Sequence, residues 1–361
     1  MIQIERKVLQ MKTTQDMKTP IRILIVDDSA YMRFTIAKRL GEIPGFQVVG
    51  SARDGVEALD LIPKFNPDVI TLDVEMPRLD GLSTLREIMS TNPRPTIMVS
   101  SLTTEGARET VQALTLGAVD FVAKPSSKAN IEAIMDDLVV KIQRAAKAKV
   151  YPITAKWRKE ITEENNPTKK TRPYSKADKV VVIGASTGGP RALSTVIPQI
   201  PSDLPATYLI VQHMPVGFTH SLAERLNNIS NIEIREAAPG DTLEVGRGLL
   251  APGGFHMVLD ENNCISLNQN PTVHGVRPAI DVTMISAAQK FGASTIGIVL
   301  TGMGTDGTNG SALIHGSGGY VIAEDESTCV VWGMPRSVQE AGVADAIAPL
   351  PEIANTLQKV F

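Results

Sequence analysis

Only two cysteines, Cys264 and Cys329, occur in 361 residues. Two thiols cannot build the multi-disulfide framework of a small secreted domain, and they lack the spacing of a zinc site, so buried free thiols without a role are expected. No apolar run reaches the ~18 residues that a bilayer-crossing helix needs. The opening stretch MIQIERKVLQMKTTQDMK lacks the apolar centre of a signal peptide. A cytoplasmic protein without membrane insertion is therefore expected. An excess of basic charge is missing as well: 36 Lys and Arg stand against 39 Asp and Glu, for a net charge of −3. No helix-turn-helix or zinc-finger pattern is present either, so nucleic acid is not an expected partner and a DNA-binding regulator is the weakest reading.

What remains is ordinary globular composition, 43% hydrophobic and 21% charged, in a chain long enough for two domains that each bury a core. From Ile21 to about Gln143, the runs IRILIVDD, FQVVGSA, DVITLDVEM, TIMVSS and VDFVAKP alternate with helical stretches. That alternation predicts an α/β domain over 21–143, doubly wound and flavodoxin-like around a five-stranded parallel sheet. Residues 144–178 are rich in Lys, Thr, Asn and Pro and read as a linker. A second set of runs, KVVVIGAS, ATYLIVQHM, STIGIVLTGM and GGYVIAED, predicts a second α/β domain over 179–361 with a mainly parallel sheet and a glycine-rich middle around Gly240 to Gly254. Residues 1–20 carry little pattern and are expected to be a loose extension.

In the first domain, Asp27 and Asp28 end the first strand and Asp73 ends the third. Strand C-termini of a doubly wound sheet line one edge, so these carboxylates should converge. Such a cluster repels itself unless a hard cation sits in it, and Mg²⁺ fits that requirement. Lys124 can pair with a phosphoryl oxygen from the other side, and Ser100 can offer it a hydroxyl. Any one of these aspartates could instead cap the following helix; it is the joint pattern that argues for a site.

The residues DDS at 27–29, Asp73 followed by Met76-Pro77, the serine pair at 100 and 101, and AKP at 123–125 resemble response-regulator receiver domains. The resemblance implies that Asp73 is the phosphoacceptor and that Asp28 and Asp73, with Asp27 beside them, bind Mg²⁺. It also implies that Ser100 is the switch hydroxyl, Phe121 the switch aromatic and Lys124 the phosphate partner.

In the second domain, Gly184-Ala185-Ser186-Thr187-Gly188 matches G-x-S-x-G directly after a strand and before Pro190 at a helix start. A serine on such a turn is exposed at the sheet edge, close to backbone N–H groups that can hold an oxyanion. A phosphate-binding glycine loop is the rival, but the spacing is neither G-x-G-x-x-G nor a Walker loop with its lysine. Among the five histidines His213, His220, His256, His274 and His315, His213 ends an apolar strand and so reaches the same edge. Asp306 follows another strand and could orient the imidazole or serve only a glycine-rich turn. His256 and His274 remain alternative bases on position alone.

GASTGGP at 184–190, QHMP at 212–215, HGVRPAID at 274–281 and LTGMGTDG at 300–307 look like the catalytic domain of the chemotaxis protein-glutamate methylesterase family. The resemblance implies Ser186 as nucleophile, His213 as general base and Asp306 as its orienting carboxylate. Thr187 and the Met303 N–H are the candidate contributors to the oxyanion site or to aligning His213. It further implies hydrolysis of glutamyl methyl esters, and glutamine deamidation, on methyl-accepting chemoreceptors, with no cofactor for the hydrolase chemistry. Phosphorylation by a chemotaxis histidine kinase would control the activity, and a monomer is expected. Arg277 in the HGVRPAID stretch could recognise acidic substrate or pair with a nearby carboxylate. Two rivals stay open: a receiver joined to a hydrolase for some other ester or amide, and a regulator that binds without catalysis.

Overall fold

The computed structural model describes residues 19–101, 103–124, 131–152 and 178–361. Most of the expected N-terminal extension and of the expected linker, and Pro125 of the AKP motif, lie outside the described residues. The chain divides into two compact units, each with its own sheet.

The first sheet contains β1 Ile21–Val26, β2 Phe46–Ala52, β3 Val69–Asp73, β4 Thr96–Ser100 and β5 Asp120–Ala123. The spatial order is β2-β1-β3-β4-β5, with every pair parallel. Helices α1 Ala30–Gly41, α2 Gly55–Phe65, α3 Gly81–Thr91 and α4 Thr104–Leu116 separate these strands along the chain, and α5 Ile131–Ala145 follows β5. The side chains explain the alternation. β3 (VITLD) and β4 (TIMVS) are buried along their whole length, as strands covered on both faces must be. Helices α1 to α4 each start at a residue whose side chain accepts a backbone N–H of the first turn: Ser29, Asp54, Asp80 and Thr103. Helix α1 is thus capped by Ser29, which leaves Asp27 and Asp28 available for another purpose.

The strand order reverses between β1 and β3, and at such a switch point the flanking loops part and leave a crevice above the strand ends. Asp27 and Asp28 follow β1 and Asp73 ends β3, so all three carboxylates border that crevice.

The second unit holds β6 Lys179–Ala185, β7 Ala206–Gln212, β8 Glu233–Glu236, β9 Arg247–Leu250, β12 Thr295–Val299, β13 Tyr320–Glu324 and β14 Ala346–Ala348. Their order is β14-β13-β12-β6-β7-β9-β8, again parallel at every pairing. A separate antiparallel ribbon pairs β10 His256–Leu259 with β11 Ile265–Asn268. The four predicted strands are β6, β7, β12 and β13. Strands β8, β9 and β14, three or four residues each, are additions to the predicted set; β9 lies in the region read only as glycine-rich and the ribbon just after it. The helices that bear on the site are α6 Gly189–Val196, α7 Phe218–Ile229, α8 Ile280–Phe291 and α9 Thr308–Gly316. Alternate residues of the central strands, Val180, Val182, Leu209 and Val211, pack with Ile280, Met284 and Met257 in a continuous apolar core. Here the order reverses between β6 and β12, so the crevice opens between the residue after β6 and the loop after β12.

Leu209 lies mid-strand in β7 with no exposed surface. Truncating a fully buried leucine removes its burial and leaves a cavity. Leu209→Ala is expected to lower the stability of the second unit by about 3 kcal/mol, read as a lower urea midpoint; an unchanged midpoint would contradict this account of the core.

Candidate active site and acidic pocket

Ser186 is the first residue after β6, and the turn that presents it is tightly built. Gly188 takes a left-handed φ of 78°, and a Cβ there would lie 2.6 Å from the Val330 side chain, so only glycine suits the position. The Ser186 N–H donates to the Thr301 carbonyl at 3.0 Å. The Ser186 carbonyl accepts from Gly189 N–H at 2.8 Å and from Gln212 Nε2 at 2.9 Å. The serine peptide is thereby pinned to the loop after β12 on one side and to the end of β7 on the other. Gly302 lies against it: a Cβ there would come within 2.6 Å of Ser186 Cβ. Because the Ser186 N–H is already used, an oxyanion would need other donors. The Met303 N–H donates to no described residue, and Met303 is 48% exposed. Thr187 is buried, and its carbonyl accepts the Thr301 hydroxyl at 3.1 Å.

His213 follows β7, and its backbone N–H is held by the Ala185 carbonyl at 3.1 Å. Its Nε2 lies 2.7 Å from Asp306 Oδ2. Asp306 is 1% exposed, and its carboxylate also accepts the N–H groups of Ile280 (2.7 Å), Asp281 (2.8 Å) and Gly307 (2.9 Å). Burial alone would raise this carboxyl, but the His213 ring and the Asp281 and Ile280 N–H groups hold it below the ordinary carboxylate value. An ionised Asp306 assigns the proton of neutral His213 to Nε2, which leaves Nδ1 as the ring nitrogen able to accept a proton. Among the described residues, no hydrogen bond joins Ser186 Oγ to His213.

The two helices beside Asp306 explain its placement. Neither α8 nor α9 has a side-chain cap of its own. Asp306 closes the first turn of α8, while Asp281, in that first turn, accepts Gly310 N–H at 2.8 Å and Asn309 Nδ2 at 3.2 Å from α9. The carboxylates thus cap each other's helices and sit where the helix dipoles favour negative charge.

His274 Nε2 lies 2.9 Å from Asp281 Oδ2 and 4.0 Å from Asp306 Oδ1. These three residues bring ligand atoms within 4.8 Å of one another, but backbone and side-chain N–H groups already occupy the carboxylate oxygens, which argues against a cation there.

The other histidines are accounted for by their neighbours. His256 is buried, with Nε2 facing the Pro271 carbonyl at 3.1 Å and Nδ1 accepting Ala279 N–H at 3.2 Å. It is a core histidine with both nitrogens used. His220 lies on exposed helix surface near Glu224 and Glu236, and His315 faces Asp345 at 3.1 Å. Arg277 Nη1 donates to the Gln269 and Asn270 carbonyls, both at 2.8 Å, and so braces its own loop. Cys329 is buried as expected, but Cys264 is only partly so.

In the first unit, ligand oxygens of Asp27, Asp28 and Asp73 lie within 4.8 Å of one another. Lys124 Nζ is 2.6 Å from Asp73 Oδ2 and 3.7 Å from Asp27 Oδ2. Burial pushes the Asp73 carboxyl up to about 6 against the pull of Lys124. Burial raises Asp27 as well, whereas the Lys124 ammonium, although burial opposes it, is held above the ordinary lysine value by Asp73 and its neighbours. Among the described residues, Asp27 Oδ2 is buried with no hydrogen-bond partner. An orphaned carboxylate oxygen beside two further carboxylates is a donor set that suits a small hard cation such as Mg²⁺. Ser100 and Phe121 are buried on the neighbouring strands, and the Ser100 carbonyl accepts the Lys124 N–H at 2.6 Å.

One residue of the second site escaped sequence reading. Glu324 ends β13, is fully buried, and accepts Thr301 N–H at 2.7 Å and the Thr328 hydroxyl at 3.0 Å. Burial pushes its carboxyl up to about 7. The last position of a predicted strand was the only available signal.

Residues 181–357 match the CheB methylesterase family, and residues 23–136 match the response regulator receiver domain family. The chain is 48% identical to the protein-glutamate methylesterase/protein-glutamine glutaminase of Symbiobacterium thermophilum, with 94% of this chain and 97% of that one covered. It is 45% identical to the protein of the same name from Pyrococcus horikoshii, over 94% of this chain and 93% of the relative. Among solved structures it is similar to the CheB methylesterase catalytic domain of Thermotoga maritima, at 46% identity, with 51% of this chain and 98% of that one covered and a TM-score of 0.49. No helix among the described residues is long and apolar enough to cross a membrane.

Because the Glu324 carboxyl rises from 4.5 to about 7 in the folded chain, folding favours its neutral form. That advantage is complete below the unfolded value and is lost as pH climbs through the folded one. Glu324→Gln does not titrate, so its melting temperature is expected to gain on that of wild type between pH 5 and pH 8, by the equivalent of at most about 3 kcal/mol. A difference that stays constant over this range would contradict the burial account.

Proposed function

The chain belongs to the protein-glutamate methylesterase/protein-glutamine glutaminase family and also carries a receiver domain. On that footing we propose that it hydrolyses glutamyl methyl esters of chemoreceptors to glutamate and methanol, and deamidates glutamine at the same positions, under control of phosphorylation at Asp73. The observation that carries the hydrolase reading is the 2.7 Å bond between His213 and a buried, N–H-saturated Asp306 at the sheet edge that presents Ser186. We assign residues 21–143 to the receiver, 144–178 to a linker and 179–361 to the catalytic domain.

In this reading His213 Nδ1 takes the Ser186 proton as Oγ attacks the ester carbonyl, and Asp306 stabilises the imidazolium that forms. The Met303 N–H, with Thr187 shaping the turn, faces the developing oxyanion. His213 returns the proton to the departing methoxide, methanol leaves, and an acyl-Ser186 remains. Water, deprotonated by the same ring, then releases glutamate and restores the serine. A glutamine side chain follows the same path with ammonia as the leaving group.

In the receiver, the phosphoryl group of a histidine kinase passes to the Asp73 carboxylate, breaking the P–N bond and forming a P–O bond. Asp27, Asp28 and Asp73 would hold Mg²⁺, which offsets the charge of the incoming phosphoryl group. Lys124, paired with Asp73 in this structure, would turn to a phosphoryl oxygen, and the Ser100 hydroxyl and Phe121 ring would respond to the roughly −1.5 to −2 charges added.

The test is methanol release from methylated chemoreceptor membranes, with and without a small phosphodonor and Mg²⁺. Wild type is expected to release methanol faster with phosphodonor, Asp73→Ala to lose that stimulation, and EDTA to abolish it. Ser186→Ala should fall by on the order of 10⁶ in turnover, with a loss in the same direction for His213→Gln. No methanol from wild type would refute the substrate assignment.

A further inference from the structure

Glu324 takes no part in the chemistry above, yet its hydrogen bonds lead to the nucleophile. Its carboxylate holds the Thr301 N–H at 2.7 Å. The Thr301 carbonyl in turn holds the Ser186 N–H at 3.0 Å, and the Thr301 hydroxyl donates to the Thr187 carbonyl at 3.1 Å while accepting Val331 N–H at 2.9 Å. Both ends of the Ser186–Thr187 dipeptide therefore hang from one buried threonine, and that threonine's own N–H hangs from one buried carboxyl. Two residues beyond Thr301 lies Met303, whose N–H is the candidate oxyanion donor. A displacement of Thr301 would move nucleophile and oxyanion donor together.

We propose that Glu324, acting through Thr301, is a positioning residue that sets the Ser186 turn and the Met303 N–H in reactive register. A buried carboxyl is costly to keep, and an apolar side chain of similar size would spare that cost but leave the Thr301 N–H unpaired in the interior. The Thr328 hydroxyl on the second oxygen fixes the carboxyl's orientation. Misplacement of reacting groups by about 1 Å is enough to cost on the order of a hundredfold in rate.

The inference rests on Ser186 being the nucleophile, so the readout is the rate at which a serine-reactive phosphonate labels Ser186 in the full-length chain. Labelling does not depend on which ester the protein hydrolyses. Rates would be compared for wild type, Glu324→Leu, Glu324→Gln and Thr301→Val, each well below its own melting temperature, alongside kcat and KM for methanol release. Glu324→Leu is expected to label on the order of tenfold more slowly or worse, with kcat lowered and KM unchanged. Glu324→Gln, which keeps an acceptor for the Thr301 N–H, should restore most of that loss, and Thr301→Val should also be slow. Wild-type labelling in folded Glu324→Leu would overturn the proposal, because a purely structural carboxyl would lower the melting temperature and leave the rate alone. If Glu324→Leu does not fold, Glu324→Ala, which also removes the acceptor of the Thr301 N–H, decides: slow labelling that Glu324→Gln does not share supports the relay, and wild-type labelling overturns it. Absence of Ser186 labelling in wild type would remove the nucleophile reading and this proposal with it.

Discussion

A buried negative charge survives in a protein only where donors replace the water it has lost, and the Asp306 carboxylate is the point on which the second unit turns. Three backbone N–H groups and an imidazole surround it. Supplying those N–H groups requires helix α8 to begin beside the loop that follows β12. Holding that loop requires α9 to begin where Asp281 can close it. The reciprocal caps make the Asp306 carboxylate and the local fold one interaction. Removing Asp306 would unseat His213 and also leave the first turn of α8 with orphaned donors.

The two sheets use the same geometry for opposite electrostatics. Each gathers its polar groups at the carboxyl edge, where the strand order reverses. In the second unit the Asp306 carboxylate is fully satisfied and held below the ordinary carboxylate value by His213 and backbone N–H groups. In the first, burial pushes Asp73 up to about 6, and Asp27 Oδ2 has, among the described residues, an ion pair with Lys124 at 3.7 Å but no hydrogen bond. That pocket stays short of positive charge with Lys124 alone, so a cation and a phosphoryl group can each find incomplete partners there.

Much of this was legible from local pattern. Runs such as VITLD and TIMVS are buried on both faces and announce central parallel strands without help from neighbours. Asp73 in the first sheet, and Ser186 and His213 in the second, stand at or just after the ends of such runs, so the edge of its own sheet that each occupies followed from periodicity. Strands β8, β9 and β14 did not announce themselves, because three or four residues carry too little alternation and their pairing partners are distant in sequence. The same limit hid the role of Asp281, whose partners Asn309 and Gly310 come from another helix, and of Glu324, which reads as an ordinary strand end until Thr301 is folded against it. The charge of Arg277 is visible in sequence, whereas the Gln269 and Asn270 carbonyls that engage its Nη1 become visible only in the folded loop.

Because all seven strands of the second sheet run in one direction, their carboxyl ends share one edge and their amino ends the other. Ser186, His213, Asp306 and Glu324 all belong to the ends of β6, β7, β12 and β13 or to the loops after them. The turns that enter those strands at the opposite edge carry none of these groups. Affinity tags, fluorophores, surface-entropy substitutions or a rewired chain start could be placed there with the whole depth of the sheet between the alteration and the chemistry.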